Sequence, residues 1–148
     1  MNRHKTDTTF LLEELTNNLI GVYDRMLQSN FQISYSEWRL LFAIFLAQDN
    51  PTQENIAAQA LKSPAAVSRQ LNTLIEKDLV ERGDSKDSKR IKLVYLSKTG
   101  KNVFNKSVMQ ISKFSHNFFR QLGTESVAFK DNLVALIEDL ENNKHTIS

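Results

Sequence analysis

The sequence predicts a mainly helical chain interrupted once by a small β-hairpin, and three observations carry that prediction. Apolar residues recur every three or four positions over most of the 148 residues, the spacing of helices with a buried face. The period changes only between Leu79 and Leu96, where β-prone runs flank a polar tip. Four glycines and two prolines leave few breaks, and 41% hydrophobic content supplies a core. A chain of this length is expected to form a single domain over 1–148.

The first helix is expected from about Thr8 to Ser29. Phe10, Leu11, Leu12, Leu15, Leu19, Ile20, Val22, Tyr23, Met26 and Leu27 wrap more than one narrow stripe, so this helix needs cover on two sides. Phe31–Tyr35 reads as a connection, with Ser34 or Ser36 capping a second helix through Glu37 to about Gln48. Its Trp38, Leu40, Leu41, Phe42, Ile44, Phe45 and Leu46 are mostly core, and Asp49-Asn50-Pro51 ends it. Thr52 then caps a short helix to about Gln59 that turns Ile56, Ala57 and Ala60 inward.

The stretch Ser63–Lys77 organises the rest. Ser63 is a good N-cap, and Pro64 stands at the first helical position, where its missing N–H costs nothing. Val67, Leu71, Leu74 and Ile75 form one apolar stripe. Ala65, Arg69, Asn72 and Glu76 point the other way, with Ala66, Ser68 and Thr73 on the shoulders. Small and hydrogen-bonding residues around one arginine suit a major groove, where Arg reads guanine, Asn reads adenine and a methyl touches thymine. Taken alone, the helix fits a solvated face equally well. Its context favours the groove: two short helices joined by Ala60-Leu61-Lys62 make a helix-turn-helix, with Ala57, Ala58, Ala60, Ala65 and Ala66 permitting a close crossing.

After Asp78, Leu79–Arg82 and Ile91–Leu96 read as two strands around the tip Gly83–Arg90, which holds Lys86, Lys89 and Arg90. A basic hairpin directly after a helix-turn-helix is a wing. Ser97-Lys98-Thr99-Gly100 opens a long helix to about Leu122, with Val103, Phe104, Val108, Ile111, Phe114, Phe118 and Phe119 apolar. Gly123 breaks it, and Thr124 is expected to cap a last helix carrying Val127, Leu133, Leu136, Ile137 and Leu140. The fold class is thus mainly α with a β-hairpin wing: a winged helix-turn-helix lobe over about 34–97, flanked by helices over about 8–30 and 98–142.

Charge and composition narrow the function. Residues 1–50 hold four basic and six acidic side chains. Ser88–Thr124 holds eight basic residues and no acid, and 125–148 holds five acids against two lysines. A positive middle between negative ends suits a chain that presents its centre to phosphates. With no cysteine, thiol chemistry and thiolate zinc are excluded, and His4, His116 and His145 lack metal-ligand spacing. Nothing resembles a Gly-rich phosphate loop or a Ser/His/Asp arrangement, so neither enzyme activity, a metal nor a cofactor is expected. No apolar run approaches the roughly 20 residues that cross a bilayer. Met1-Asn2-Arg3-His4-Lys5 does not lead into a signal-peptide core, so a soluble cytoplasmic protein without membrane contact is expected.

These motifs resemble those of the MarR family of bacterial transcription regulators across nearly the whole chain. The match runs through Ser63-x-x-x-Val67-Ser68-Arg69-x-Leu71-x-x-Leu74-x-x-Lys77-x-Leu79-Val80-x-Arg82 and Leu96-Ser97-Lys98-Thr99-Gly100. It is similar to the family's vsR-x-v-x-x-L-x-x-k-G-l-v-x-R and D-x-R … L-T-x-x-G. Asp78 replaces the family's Gly and Ser97 its Thr. Counted back from Leu96, Arg90 matches the wing arginine and Ser88 the wing aspartate, so Asp87 stands one residue further away.

The resemblance implies a homodimer in which first and last helices interlock while two winged lobes read a palindromic operator on double-stranded DNA, most often as a repressor. It also implies a small-molecule effector in a cleft between the dimer helices and the lobe, for which Tyr23, Trp38, Arg39, Phe42 and His116 are the candidates. For DNA, Ala65, Ala66, Ser68, Arg69, Asn72 and Thr73 are expected in the major groove. Lys86 and Lys89 would serve the wing, and Arg90 would enter the minor groove. Ser63, Thr52 and Gln53 are candidates for phosphates. The alternative is a winged helix used only for protein–protein contact.

Overall fold

The computed structural model describes residues 7–84 and 92–143. Its order is α1 (Thr8–Phe31), α2 (Tyr35–Leu46), α3 (Gln53–Ala60), α4 (Pro64–Glu76), β1 (Val80–Asp84), β2 (Lys92–Leu96), α5 (Lys98–Phe119), a 3-10 turn (Arg120–Leu122) and α6 (Glu125–Asn142). The chain divides into two units, Met1–Val108 and Met109–Ser148, with the boundary inside α5.

The caps explain most helix boundaries in the first unit. Asp7 accepts from the Thr9 amide at 2.8 Å. α1 runs two residues beyond its expected end, to Phe31, where Gln32 adopts a left-handed conformation (φ 58°) and its N–H closes on Gln28 O. Of the two serines that compete to start α2, Ser34 is the cap. Its hydroxyl accepts from Glu37 N at 3.1 Å, and the Glu37 carboxylate accepts from Ser34 N at 2.7 Å. The helix stops at Leu46, short of Gln48, and the turn closes through Asn50 N to Ala47 O. Thr52 and Ser63 cap α3 and α4 as the sequence indicates.

The core of this unit joins α2, α3, α4 and the hairpin. Leu40, Leu41, Ile56, Val67, Leu71, Leu74 and Val94 have no solvent exposure. Ala57 and Ala60 are buried in this packing, whereas Ala58 and Ala65 are exposed and Ala66 half-buried, so only part of the small-residue set serves the crossing. β1 and β2 pair antiparallel with Val80 opposite Leu96 and Arg82 opposite Val94. Gly83 and Asp84, expected in the tip, continue the first strand. Thr52 makes an isolated bridge to Leu93, and Val94 N donates to Pro51 O at 2.8 Å, so the start of α3 is stitched to the sheet. A one-residue bridge has no alternation for a sequence to display.

Asp78 takes φ 55°, the left-handed conformation a glycine adopts without strain. Its carboxylate accepts from the Thr99 hydroxyl at 2.9 Å, and its carbonyl accepts from Ser97 Oγ at 2.6 Å. Ser97 Oγ in turn accepts from Gly100 N at 2.9 Å, capping α5. A Cβ on Gly100 would stand 1.8 Å from Leu79 O, so only glycine lets α5 begin against this backbone.

The second unit holds the end of α5, the turn and α6. Gly123 has φ 57°. Thr124 does not cap α6 as expected: its backbone is already helical and its side chain makes no capping bond, the amide of Ser126 instead reaching Gly123 O. Phe114, Phe118, Phe119 and Phe129 form a run of ring contacts with centroids 5.1–6.0 Å apart. No residue of α6 is buried, and Val127, Leu136, Ile137 and Leu140 are each more than half exposed. Among the described residues no helix is long and apolar enough to cross a membrane, and no His, Asp and Glu gather into a metal-binding group.

Candidate nucleic-acid interface

The candidate surface is built on α4. Val67, Leu71 and Leu74 anchor the helix in the core with no exposure, and Ile75 is half-buried. The opposite face is thereby turned to solvent: Ala65, Arg69, Asn72 and Thr73 are exposed, and Ala66 and Ser68 half-buried. The Ser63 hydroxyl accepts from Ala66 N at 3.3 Å, leaving its proton to donate elsewhere. Thr73 Oγ1 donates to Arg69 O at 3.4 Å, within its own helix. Thr52 Oγ1 accepts from Asn55 N at 3.2 Å, and Gln53 is half-buried at the first position of α3.

Two features of this surface are absent from the sequence reading. Arg82 on β1 donates from Nη2 to Asn72 Oδ1 at 2.9 Å, tying the hairpin to the exposed face of α4. Strand alternation puts Arg82 on the same face as Val80, two residues earlier, but does not say which residue of α4 that face meets. The second is a polar knot across the helix-turn-helix. Lys62 Nζ donates to Ser36 Oγ at 2.7 Å and to Gln70 Oε1 at 2.6 Å, while Gln70 Nε2 donates to Ser36 Oγ at 2.7 Å. Burial, with Arg39's charge nearby, holds the Lys62 ammonium pKa below its ordinary value.

The far end of α4 is fixed by Lys77, whose Nζ donates to Glu37 Oε1 at 2.7 Å and to Gln32 O at 3.0 Å. Burial raises the Glu37 pKa. The hydrogen bonds from Lys77 and Ser34, with the Lys77 charge, outweigh it and leave the carboxyl below its usual range. On the hairpin, Lys92 pairs with Asp84 at 2.8 Å in solvent. Lys86, Lys89 and Arg90, with Asp87 and Ser88, lie outside the described residues.

Three of the five effector candidates line one cavity of the first unit. Trp38, Arg39 and Phe42 line a cavity of about 380 Å³ between α2 and α3, together with Ala43, Leu46 and Gln59. Tyr23 stacks on Tyr35 at 6.1 Å, and Tyr35 on Trp38 at 5.9 Å. Trp38 also stacks on Phe42 and Phe104, and its Nε1 donates to Ser107 Oγ at 2.9 Å. His116 lines a different cavity of about 510 Å³ in the second unit, beside Phe119, Arg120, Phe129 and Lys130.

Comparison with known proteins agrees with this architecture. A sequence profile described as MarR family matches residues 31–91. The chain is 26% identical over 110 residues to the uncharacterized HTH-type transcriptional regulator YhbI of Bacillus subtilis (strain 168), covering 74% of this chain and 71% of that one. Its fold is that of the S. aureus MepR–DNA complex (TM-score 0.75, 20% identity, 92% of this chain and 98% of that chain). It is also that of CouR from Rhodococcus jostii RHA1 bound to p-coumaroyl-CoA (TM-score 0.72, 18% identity, 97% and 94%).

Proposed function

As the chain belongs to the MarR family of transcription regulators, we propose that it is a sequence-specific DNA-binding repressor acting as a homodimer on a palindromic operator. The observation that carries this reading is the outer face of α4, whose exposed Ala65, Arg69, Asn72 and Thr73 stand over a fully buried apolar stripe. No long acidic side chain crowds the first half of that face, so the helix can approach a major groove closely. Arg69 is the guanine reader, with Ala66 and Ser68 at the groove edge. Thr52, Gln53 and Ser63 lie at the helix N-termini where amides favour phosphate, while Lys86, Lys89 and Arg90 serve the wing.

Dimerisation supplies the palindrome, because two equivalent lobes read two half-sites about one helical turn apart. The exposed apolar residues of α6 and of α1, where Phe10, Leu11 and Leu12 are 37–49% exposed, support it. A small effector in the cavity of Trp38, Arg39 and Phe42 would act on the α2–α3 packing beneath α4. The MepR–DNA and CouR–p-coumaroyl-CoA structures lend both roles their precedent.

The test is selection from a randomised, approximately palindromic duplex library at two salt concentrations, with Arg69→Ala alongside. Enrichment of a palindrome that Arg69→Ala loses supports the reading. Weak, sequence-blind binding at low salt overturns it in favour of a winged helix serving protein contacts.

A further inference from the structure

We propose that Arg82 sets the base preference of Asn72, by holding its side-chain amide with the oxygen towards the hairpin and the NH2 group towards the groove. The inference rests on the DNA-reading role proposed for α4. Arg82 Nη2 lies 2.9 Å from Asn72 Oδ1, and both residues are exposed at the surface where β1 adjoins the helix. A guanidinium carries donors and no acceptor, so the atom it meets on Asn72 is necessarily the oxygen. The amide nitrogen then diverges from Arg82.

An asparagine whose two amide atoms are both available recognises adenine by donating to N7 and accepting from the N6 amino group. In Asn72 the bond from Arg82 holds the oxygen, which keeps a second lone pair, towards the hairpin, and the group left to face the groove is the NH2 donor. Two N–H donors match the adjacent N7 and O6 acceptors of guanine. They leave the adenine amino group unanswered. Turning the amide over to read adenine would break a hydrogen bond from a charged donor and face the NH2 group against the guanidinium. The hairpin therefore contributes to specificity at a base that it does not itself touch.

The test is site selection from a randomised duplex library with the full chain, using wild type, Asn72→Ala, Asn72→Asp and Arg82→Met. Asn72→Ala identifies the position that Asn72 reads, as the one whose preference relaxes. The expected wild-type base there is guanine. Arg82→Met frees the amide and is expected to shift the preference towards adenine by about tenfold in relative enrichment. Asn72→Asp keeps the bond to Arg82, removes the outward donors and is expected to lose the guanine preference. Adenine at that position in the wild type, or an Arg82→Met variant with unaltered preference, overturns the role of Arg82 while leaving the DNA reading intact. A uniform loss of affinity in Arg82→Met without a change of base marks a phosphate contact and overturns it equally. Failure of the wild type to enrich any sequence overturns the DNA reading itself, and this inference with it.

Discussion

At the scale of single residues, Arg69 and Glu37 stand in contrasting surroundings. Arg69 is exposed on a rigid helix, so truncating it leaves the core intact. Arg69→Ala is expected to cost about 1–3 kcal/mol in affinity for the selected operator, with non-specific binding changed far less. A titration against operator and scrambled duplexes measures both. Glu37 is nearly buried and ties Ser34 and Lys77 to one carboxylate. Its folded pKa lies below the unfolded value, so the folded state holds fewer protons. The stability it contributes is present above the unfolded pKa and is lost as pH falls through the folded one. Thermal unfolding followed from neutral to acid pH should show this loss in the wild type and a flatter acid limb in Glu37→Gln, which starts from a lower Tm. The Asn72–Arg82 bond is the residue-scale feature the sequence concealed, because helix period and strand period each place a side chain on a face but neither brings the two faces together.

At the scale of elements, the junction between the hairpin and α5 decides stability. A Cβ at Gly100 would fall 1.8 Å from Leu79 O, and the atom it meets is backbone that cannot rotate away. Gly100→Ala is therefore expected to destabilise the fold by about 1–3 kcal/mol or more, read as a lower urea midpoint with an unchanged slope. Asp78→Gly nearby is a balanced change. It relieves a left-handed cost of about 1–2 kcal/mol and loses an exposed hydrogen bond to Thr99 worth about 0.5–1.5 kcal/mol. The same measurement should place it within about 1 kcal/mol of wild type. Helix starts were legible in sequence wherever a hydroxyl stood before a turn of free amides, as at Ser34, Thr52 and Ser63. Thr124 carried the same signal without the cap, because Gly123 already lets the backbone enter the helix one residue early. Helix ends were less legible, since Gln32 and Leu61 adopt left-handed conformations that their side chains do not announce.

At the scale of the whole molecule, the proposed dimer rests on the exposed apolar residues of α6. Ile137→Glu places a charge on a face that is already in solvent in the single chain, so the fold of the chain should survive. Sedimentation velocity is expected to find the wild type as a dimer and Ile137→Glu as a monomer. The variant should bind a half-site as the wild-type lobe does and lose the gain from a second half-site. A wild type that sediments as a monomer at micromolar concentration would contradict the proposed assembly. The exposed face of α4 was legible from periodicity because one buried stripe fixes the opposite side. Periodicity does not single out an effector pocket, because aromatic residues at helical spacing fill a core and line a cavity with the same pattern.

The stack of rings on α2 has a spectroscopic consequence. Trp38 is the sole tryptophan in the chain, and its indole is held by Ser107 and packed on Tyr35, Phe42 and Phe104. Its intrinsic emission is thus an unlabelled gauge of the contact between α2 and α5, with Tyr35 and Tyr23 close enough to pass excitation to it. Any molecule that enters beside Arg39, or any opening that frees the indole from Ser107, registers as a change in colour or yield of one fluorophore whose address is already known.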